Sequence, residues 1–232
     1  IGKKKIQARN DWINEINSLK NSFPDYKENS KISGINPNNF MHKLSKFSKK
    51  ASVIVSDVGQ HQMWAAQSLE LHKNQRFVTS GGMGSMGFGL PSSIGAAFIE
   101  SPSPIVLIAG DGGFQSNIQE LQTVVHHNLP IKIVILNNRC HGMVRQFQEQ
   151  LFDKRYQSTL WGYSAPNFEK IALSYGIRAK TIKTESEIKK ALEWLWKRPK
   201  DPQLLQVMID TFTNAYPKIA FGQPNYKMEP FQ

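Results

Sequence analysis

The stretch from Ile105 to Asn138 limits the fold of this chain more than any other. It opens with a continuous apolar run, Ile105–Ala109, and ends with a second predicted buried strand, Ile131–Leu136. Runs of this length, rich in β-branched residues, are typical of strands covered on both faces of a parallel sheet. Asn117, followed three residues later by Glu120, predicts a capping box at the start of the intervening helix. Four apolar residues then share one helical face: Ile118, Leu121, Val124 and Val125.

Polar residues follow both predicted strands directly. Gly110, Asp111, Gly112 and Gly113 come after the first strand, and Asn137–Asn138 closes the second. In open α/β sheets, ligands bind outside the carboxyl ends of strands. A carboxylate and an amide oxygen suit Mg²⁺, which proteins usually bind together with substrate phosphates. Glycines let a phosphate approach the backbone closely. The pattern predicts a magnesium-diphosphate site, and two ordinary turns are the alternative.

The rest of the chain alternates helices and strands. Four further strands are predicted at 52–55, 77–80, 176–182 and 204–209, which gives about six in all. Helices are predicted at 11–20, 37–49, from His61 to Leu71, and at 92–99, 167–175 and 185–196. Residues 153–166 show no periodicity and are interpreted as a mobile loop near the site. Such alternation is typical of α/β proteins with a parallel sheet.

A glycine-rich segment offers a competing interpretation. Gly82, Gly84 and Gly87 form a G-x-G-x-x-G motif after a predicted strand and before a helix, and Asp111 lies 24 residues beyond Gly87. This pattern is typical of dinucleotide-binding folds. It does not account for the two glycines after Asp111 or for the Asn pair that closes the next strand. A dinucleotide-binding module therefore stays as the alternative from a different functional class.

The distribution of charge and the cysteine content bear on the partners and the cellular compartment of the protein. The formal net charge is +11, but residues 1–50 hold eleven Lys/Arg and four Asp/Glu, so most of the excess lies there and not along the α/β body. We therefore expect no nucleic-acid partner. Cys140 is the lone cysteine, which is typical of a reducing compartment, and we expect a cytoplasmic protein. No run of 18 apolar residues or signal-peptide pattern occurs. The first residue is Ile, so we expect a fragment.

Four motifs occur in the order of one enzyme family. They are SDVGQHQMWAAQ (56–67), TSGGMGSMGFGLPSSIGAA (79–97), NIQEL (117–121) and LNNRCHGMVRQFQ (136–148), and GDG is separated from NN by 24 residues. The chain resembles, over about residues 38–212, the C-terminal thiamine diphosphate-binding domain of acetolactate (acetohydroxyacid) synthase large subunits. That resemblance implies a three-layer α/β/α fold with a mostly parallel central sheet.

The resemblance assigns roles to individual residues. Gln60 and His61 would contact the diphosphate, and Met86 would support the bent cofactor. Asp111, Asn138 and the backbone carbonyl of Cys140 would hold Mg²⁺. The remaining implied cofactor-binding residues are Gly84, Gly110, Gly112, Gly113, Gly142 and Met143.

The resemblance also implies a reaction and partners. Such enzymes decarboxylate pyruvate or another 2-keto acid and transfer the two-carbon unit to a second carbonyl, in branched-chain amino acid biosynthesis. Phe147 occupies a position where the family usually carries Trp, which favours 2-ketobutyrate. The acceptor could therefore be different, such as a deoxy sugar, or the enzyme could be a plain 2-keto acid decarboxylase.

The implied organisation leaves this chain incomplete as an enzyme. Residues 1–36 would be a linker or the end of a preceding domain, 37–212 the cofactor domain, and 213–232 a tail or lid. The activating glutamate comes from an N-terminal pyrimidine-binding domain of the same or a neighbouring subunit, and no residue here matches it. We therefore expect a homo-oligomer, FAD only in a central domain outside this chain, and no activity for the chain alone.

Overall fold

A parallel sheet of six strands forms the centre of the molecule. The computed structural model describes residues 9–27, 29, 31–100, 102–220, 222–224 and 227–230. Within these ranges the strand order is β2-β1-β3-β4-β6-β5, with every neighbouring pair parallel. The strands are β1 (Val53–Ser56), β2 (Arg76–Thr79), β3 (Ile105–Gly110), β4 (Ile131–Asn137), β5 (Arg178–Ile182) and β6 (Gln203–Met208).

Helices cover both faces of this sheet, so the three-layer prediction is confirmed. One face packs against α2, α3 and α9, and the other against α4, α6 and α8. The helices of the described chain are α1 (Asn10–Ser22), α2 (Pro37–Phe47), α3 (Gln60–Ser68), α4 (Gly89–Glu100), α5 (Asp111–Gln115), α6 (Leu121–His126), α7 (Gly142–Leu151), α8 (Phe168–Ser174) and α9 (Ile188–Trp196).

The alternation of side chains along β3 explains its unbroken apolar sequence. Val106 and Ile108 enter the core beneath α2 and α3, whereas Ile105, Leu107 and Ala109 enter the core beneath α4. Successive side chains of a strand point to opposite faces, so a strand buried on both faces needs apolar residues throughout.

The chain reverses its winding direction between β1 and β3. From β1 it passes through α3 to β2 at the sheet edge, and α4 then carries it back across β1 to β3. The connections that follow β1 and β3 therefore lead away from each other and leave a crevice at the carboxyl ends of these strands. This is the position where open α/β sheets bind ligands.

The predicted capping box at Asn117 and Glu120 is wrong. The chain enters helical structure earlier, at Asp111, and the predicted helix is divided into α5, a 3-10 turn at Ile118–Glu120 and α6. The Asn117 side chain makes no cap hydrogen bond, because its Nδ2 donates instead to the Gly87 carbonyl at 2.7 Å. The predicted apolar face is correct, since Leu121 and Val124 are buried in the core.

Other element boundaries differ in informative ways. The helix predicted to reach Leu71 ends at Ser68, and Leu71 is exposed. Residues 185–187 form a 3-10 turn before α9, and a capping box there joins Thr184 and Glu187. Helix α1 is present, but none of its residues is buried against the part of the chain that the structure describes.

The segment after β6 packs against the body. Residues 213–217 lie along α3 and α7, and two short antiparallel strands follow, β7 (Lys218–Ile219) and β8 (Met228–Glu229). Residues 221, 225–226 and 231–232 of the predicted tail lie outside the described residues, as do 1–8, 28 and 30 of the predicted linker. No helix in the described ranges combines the length and apolar character needed to cross a membrane.

Candidate cofactor and metal site

Most of the predicted site residues meet in one cleft at the carboxyl ends of β1, β3 and β4. This is the crevice created by the reversal of winding between β1 and β3. Eleven of its lining residues matter here: Gln60, His61, Met86, Gly110, Asp111, Gly112, Gly113, Asn138, Cys140, Gly142 and Met143.

Three oxygen atoms converge at the bottom of the cleft. Asn138 Oδ1 lies 2.9 Å from the Cys140 carbonyl oxygen and 3.3 Å from Asp111 Oδ1. Oxygens this close repel one another unless a proton or a cation lies between them. Around an octahedral ion bound at about 2.0–2.1 Å, adjacent oxygens lie about 2.9 Å apart. The donor set and its spacing therefore fit Mg²⁺.

Gln60 determines the orientation of the Asn138 amide. With Oδ1 toward Asp111, Asn138 Nδ2 donates to Gln60 Oε1 at 3.0 Å, and Oδ1 accepts the Cys140 N–H at 3.3 Å. Turning the amide by 180° would give donors to Cys140 O and Asp111 Oδ1, but it would place Oδ1 against Gln60 Oε1. The Gln60 amide is itself held by other partners, so we take Oδ1 to face Asp111.

Asp111 is a buried carboxylate whose two oxygens have different neighbours. Its Oδ2 accepts a hydrogen bond from the Tyr163 hydroxyl at 3.0 Å, while Oδ1 faces Asn138. Burial raises the pKa of this carboxyl to about 6, and the Tyr163 hydrogen bond partly opposes that rise. A buried carboxylate is costly unless it is paired or coordinates a metal, and a bound cation would remove that cost.

His61 presents an unsatisfied ring nitrogen in the wall of the cleft. Its Nε2 is buried and has no hydrogen-bond partner in the described chain. Burial lowers the pKa of the imidazole to about 4, although Asp57 opposes this, so the ring is neutral at pH 7. Gly110 allows the ring to lie there, because a Cβ on Gly110 would come within 2.9 Å of His61 Nδ1. A buried polar atom without a partner marks a place where a ligand can bind.

Backbone, rather than side chains, forms much of the floor. A Cβ on Gly112 would approach His141 Cε1 to 2.8 Å, and one on Gly113 would approach Asp57 Oδ1 to 2.9 Å. These two positions have no room for a side chain. A bound group can therefore approach the main chain here, as the sequence predicts for a phosphate.

Asp57 holds the glycine-rich segment in place. Its Oδ1 accepts from Val58 N at 2.6 Å and Gly87 N at 3.0 Å, and its Oδ2 accepts from Gly89 N at 3.0 Å. These bonds fix the segment that carries Met86 to the cleft, where 48% of the Met86 side chain is exposed.

Two predicted residues lie away from the cleft. Gly84 is exposed, has φ of +63°, and does not line it. Phe147 lies on α7, is 41% exposed, and lines a neighbouring apolar groove together with Val144 and Phe152. Val144 lines both the cleft and this groove, so the two are adjacent.

Sequence reasoning missed three residues that act on the site. Asp57 follows β1 as Asp111 follows β3, so the rule for polar residues at strand ends could have identified it. Tyr163 comes from the loop 153–166, and its contact with Asp111 has no sequence signal. Gln146 is buried on α7 and binds Gln60, which only the tertiary structure reveals.

The metal interpretation depends on a mixed donor set. Among the residues that the structure describes, no group of three or more His, Cys, Asp or Glu could hold a metal ion. One carboxylate, one amide oxygen and one carbonyl oxygen would have to do so. This is the chemistry of a hard cation that keeps other oxygen ligands, as Mg²⁺ does.

Comparison with known proteins shows the family of this chain. The family model "Thiamine pyrophosphate enzyme, C-terminal TPP binding domain" matches residues 57–207. The acetolactate synthase large subunit of Cyanidium caldarium is 38% identical over 94% of this chain, and the chain covers 36% of that protein. The isozyme 2 large subunit of Escherichia coli is 40% identical over 81% of this chain and 34% of its own length. These matches favour the thiamine diphosphate prediction over the dinucleotide alternative.

A solved structure supports the fold. The thiamine diphosphate-dependent 4-hydroxybenzoylformate decarboxylase of Rhodococcus jostii RHA1 superposes with a TM-score of 0.68 over 78% of this chain and 34% of that one, at 22% identity. The chain thus spans only about a third of the length of these relatives.

Proposed function

This chain belongs to the thiamine pyrophosphate enzymes, as part of their C-terminal cofactor-binding domain, and we propose on that premise that it is the cofactor-binding domain of an acetolactate synthase. The observation that carries the proposal is the convergence of Asp111 Oδ1, Asn138 Oδ1 and the Cys140 carbonyl at the end of β3 and β4. The names of the curated relatives support the acetolactate reaction.

In this proposal the convergent oxygens hold Mg²⁺, and the metal holds the diphosphate. His61 Nε2 and the backbone at Gly112 and Gly113 would face the phosphate groups. The Gln60 amide is already bound to Asn138, Gln146 and Thr213, so we propose that it acts by positioning Asn138.

The residues of the rim would control the organic part of the cofactor. Bound thiamine diphosphate supplies the decarboxylation of a 2-keto acid and the transfer of its two-carbon unit. Met86 would support the ring system from the glycine-rich segment, with Gly142 and Met143 beside it. The apolar groove with Phe147 would contact the second substrate.

The site needs a second domain. The cleft is open, and its rim exposes the apolar side chains of Met86 and Val144. We propose that an N-terminal pyrimidine-binding domain of a neighbouring subunit covers this rim and supplies the activating glutamate, which makes the enzyme a homo-oligomer. FAD would belong to polypeptide outside this chain. The lone Cys140 supports a reducing, cytoplasmic location.

A calorimetric titration tests the proposal. Thiamine diphosphate is titrated into the intact protein with Mg²⁺ and with EDTA, for wild type, Asp111→Ala and the control Asp153→Ala. Asp153 is an exposed carboxylate that does not line the cleft. We expect metal-dependent binding that is lost in Asp111→Ala and unchanged in the control. Binding that persists in EDTA, or equally in Asp111→Ala, would overturn the metal site. Formation of acetolactate from pyruvate tests the reaction.

A further inference from the structure

Residues 213–215, the tail segment, lie between α3 and α7 close behind the cleft. The buried Arg145 guanidinium donates through Nη2 to the Thr213 carbonyl at 3.3 Å and to Asn214 Oδ1 at 2.5 Å. Trp64 Nε1 donates to the Asn214 carbonyl at 3.4 Å. The tail segment is thereby fixed to both helices by side chains in the protein interior.

A chain of amides connects the tail segment to Asn138. The Ala215 N–H donates to Gln146 Oε1 at 2.9 Å. Gln60 Nε2 donates to Gln146 Oε1 at 3.0 Å and to the Thr213 carbonyl at 3.0 Å. Asn138 Nδ2 then donates to Gln60 Oε1 at 3.0 Å. We call this chain the amide relay.

The amide relay has a fixed direction because its far end is backbone. The Ala215 N–H can only donate, so Gln146 must present its oxygen there. The Gln146 oxygen and the Thr213 carbonyl both accept, so Gln60 must present its Nε2 to them. Gln60 Oε1 therefore faces Asn138, and Asn138 must donate to it through Nδ2. Its oxygen is left to face Asp111 and Cys140.

Burial prevents water from replacing any member of the amide relay. Gln60, Gln146 and Thr213 are each 1–3% exposed, and Asn138 is 6% exposed. A buried amide without its partner costs about 1–3 kcal/mol, so each member is held in one orientation. The direction set at Ala215 is thus transmitted over four residues to the metal site.

We propose that Gln146 is a positioning residue for the metal site, and that the tail segment sets, through the amide relay, which atom Asn138 presents to the cation. The inference rests on the function proposed above. Without the Gln146 oxygen, the Gln60 amide keeps only the Thr213 carbonyl as an acceptor, so Gln60 and Asn138 can turn together at a lower cost. Asn138 Nδ2 then satisfies the Cys140 carbonyl and Asp111 Oδ1, and the site closes on itself without a metal.

Binding of Mn²⁺ to the intact protein tests this inference without any activity assay. Free Mn²⁺ is measured by electron paramagnetic resonance for wild type and Gln146→Met, which keeps the side-chain length but removes the amide. We expect a 10–100-fold loss of affinity, the usual effect of losing a partner of a metal ligand. Gln146→Glu restores an acceptor for both Ala215 and Gln60 and is expected to bind close to wild type.

Gln150→Met is the matched control. Gln150 lies one turn further along α7 and also contacts the tail, through Tyr216 Oη at 3.0 Å, but it is not part of the amide relay. We expect wild-type Mn²⁺ affinity in this variant. If Gln146→Met also binds as wild type does, the inference is wrong.

A second background separates orientation from general damage. In Asn138→Asp protein the ligand presents an oxygen whichever way it turns. Gln146→Met leaves the Thr213 carbonyl as the remaining acceptor of Gln60, so Gln60 can turn more readily and donate to the carboxylate at residue 138. Gln146→Met should then cause no loss of Mn²⁺ affinity in that background, whereas an equal loss in both backgrounds would overturn the inference.

Two further results distinguish failure of this inference from failure of the proposed function. If the wild-type protein binds no Mn²⁺, or if Asp111→Ala does not abolish its Mn²⁺ binding, the proposed function is refuted, and the inference that rests on it is refuted with it. If Gln146→Met does not fold, as judged by circular dichroism, Gln60→Met cuts the amide relay one step nearer to Asn138. Wild-type affinity in that variant would equally refute the inference.

Discussion

At Gly142, the addition of a single methyl group should strongly reduce the affinity of the site for metal. A Cβ placed on Gly142 would lie 2.5 Å from Asn138 Nδ2 and closer still to Gln60 Oε1. These are the two atoms that hydrogen-bond at 3.0 Å. A methyl group at residue 142 therefore cannot coexist with the Asn138–Gln60 pair as it stands, and one partner must move by about an ångström.

The size of the effect follows from that displacement. A buried amide pair that loses its hydrogen bond costs about 1–3 kcal/mol. Each 1.4 kcal/mol is a tenfold change in an equilibrium constant, so Gly142→Ala should weaken metal binding by about 10–100-fold. Gly142 opens α7, and alanine favours helices more than glycine does, so a loss of helix propensity cannot account for the result.

Titration of Mn²⁺ into the intact protein measures this prediction. Gly95→Ala is the matched control, because a Cβ at residue 95 of α4 has no atom within 4 Å. We expect wild-type Mn²⁺ affinity for Gly95→Ala and the stated loss for Gly142→Ala. Equal affinity for wild type and Gly142→Ala would refute the argument that the Asn138–Gln60 pair controls the metal ligand.

Three further predictions concern stability. Asp57→Ala removes the acceptor of three backbone N–H groups, and urea unfolding should show a loss of about 4 kcal/mol or more, since hydrogen bonds to charged groups are worth about 1.5–3 kcal/mol each; an unchanged midpoint would contradict it. Gly95→Ala should stabilise α4 by up to about 1 kcal/mol, measured by thermal melting against wild type, and a lower melting temperature would contradict this. Lys132 is fully buried in β4, and burial lowers its pKa to about 8, against the opposing charge of Asp201. Between pH 8 and its unfolded pKa the unfolded chain binds more protons, so stability rises with pH. Relative to Lys132→Met, wild type should gain about 2 kcal/mol from pH 7 to pH 9.5, and a flat difference would contradict it.

The sequence was informative where local chemistry decides the structure. β3 was predictable because a strand covered on both faces favours a continuous apolar run, and β4 is apolar from Ile133 to Leu136. Asp111 and Asn138 were predictable because parallel strands bring their carboxyl ends to one edge. The winding reversal that places these ends beside β1 follows from the strand order, which single-sequence patterns do not contain.

Prediction failed where a distant partner competes for a side chain. Asn117 has the sequence of a helix cap, yet its amide binds the Gly87 carbonyl, 30 residues away. The contacts of Gln146 with Gln60 and with Ala215 span 86 and 69 residues. No local pattern encodes such separations, because they depend on how α3, α7 and the tail segment pack together.

The glycines of the cleft tolerate no larger residue, whereas the positions on its rim do. Residues 110, 112, 113 and 142 admit no side chain without displacing His61, His141, Asp57 or the Asn138–Gln60 pair. Substitution there removes the cofactor site instead of reshaping it. On the proposed function, a new acceptor specificity would therefore arise on the rim, at Met86, Val144 or Phe147. For protein engineering, a randomised library is therefore best placed at these rim positions, because substitutions there leave the residues at the bottom of the cleft unchanged.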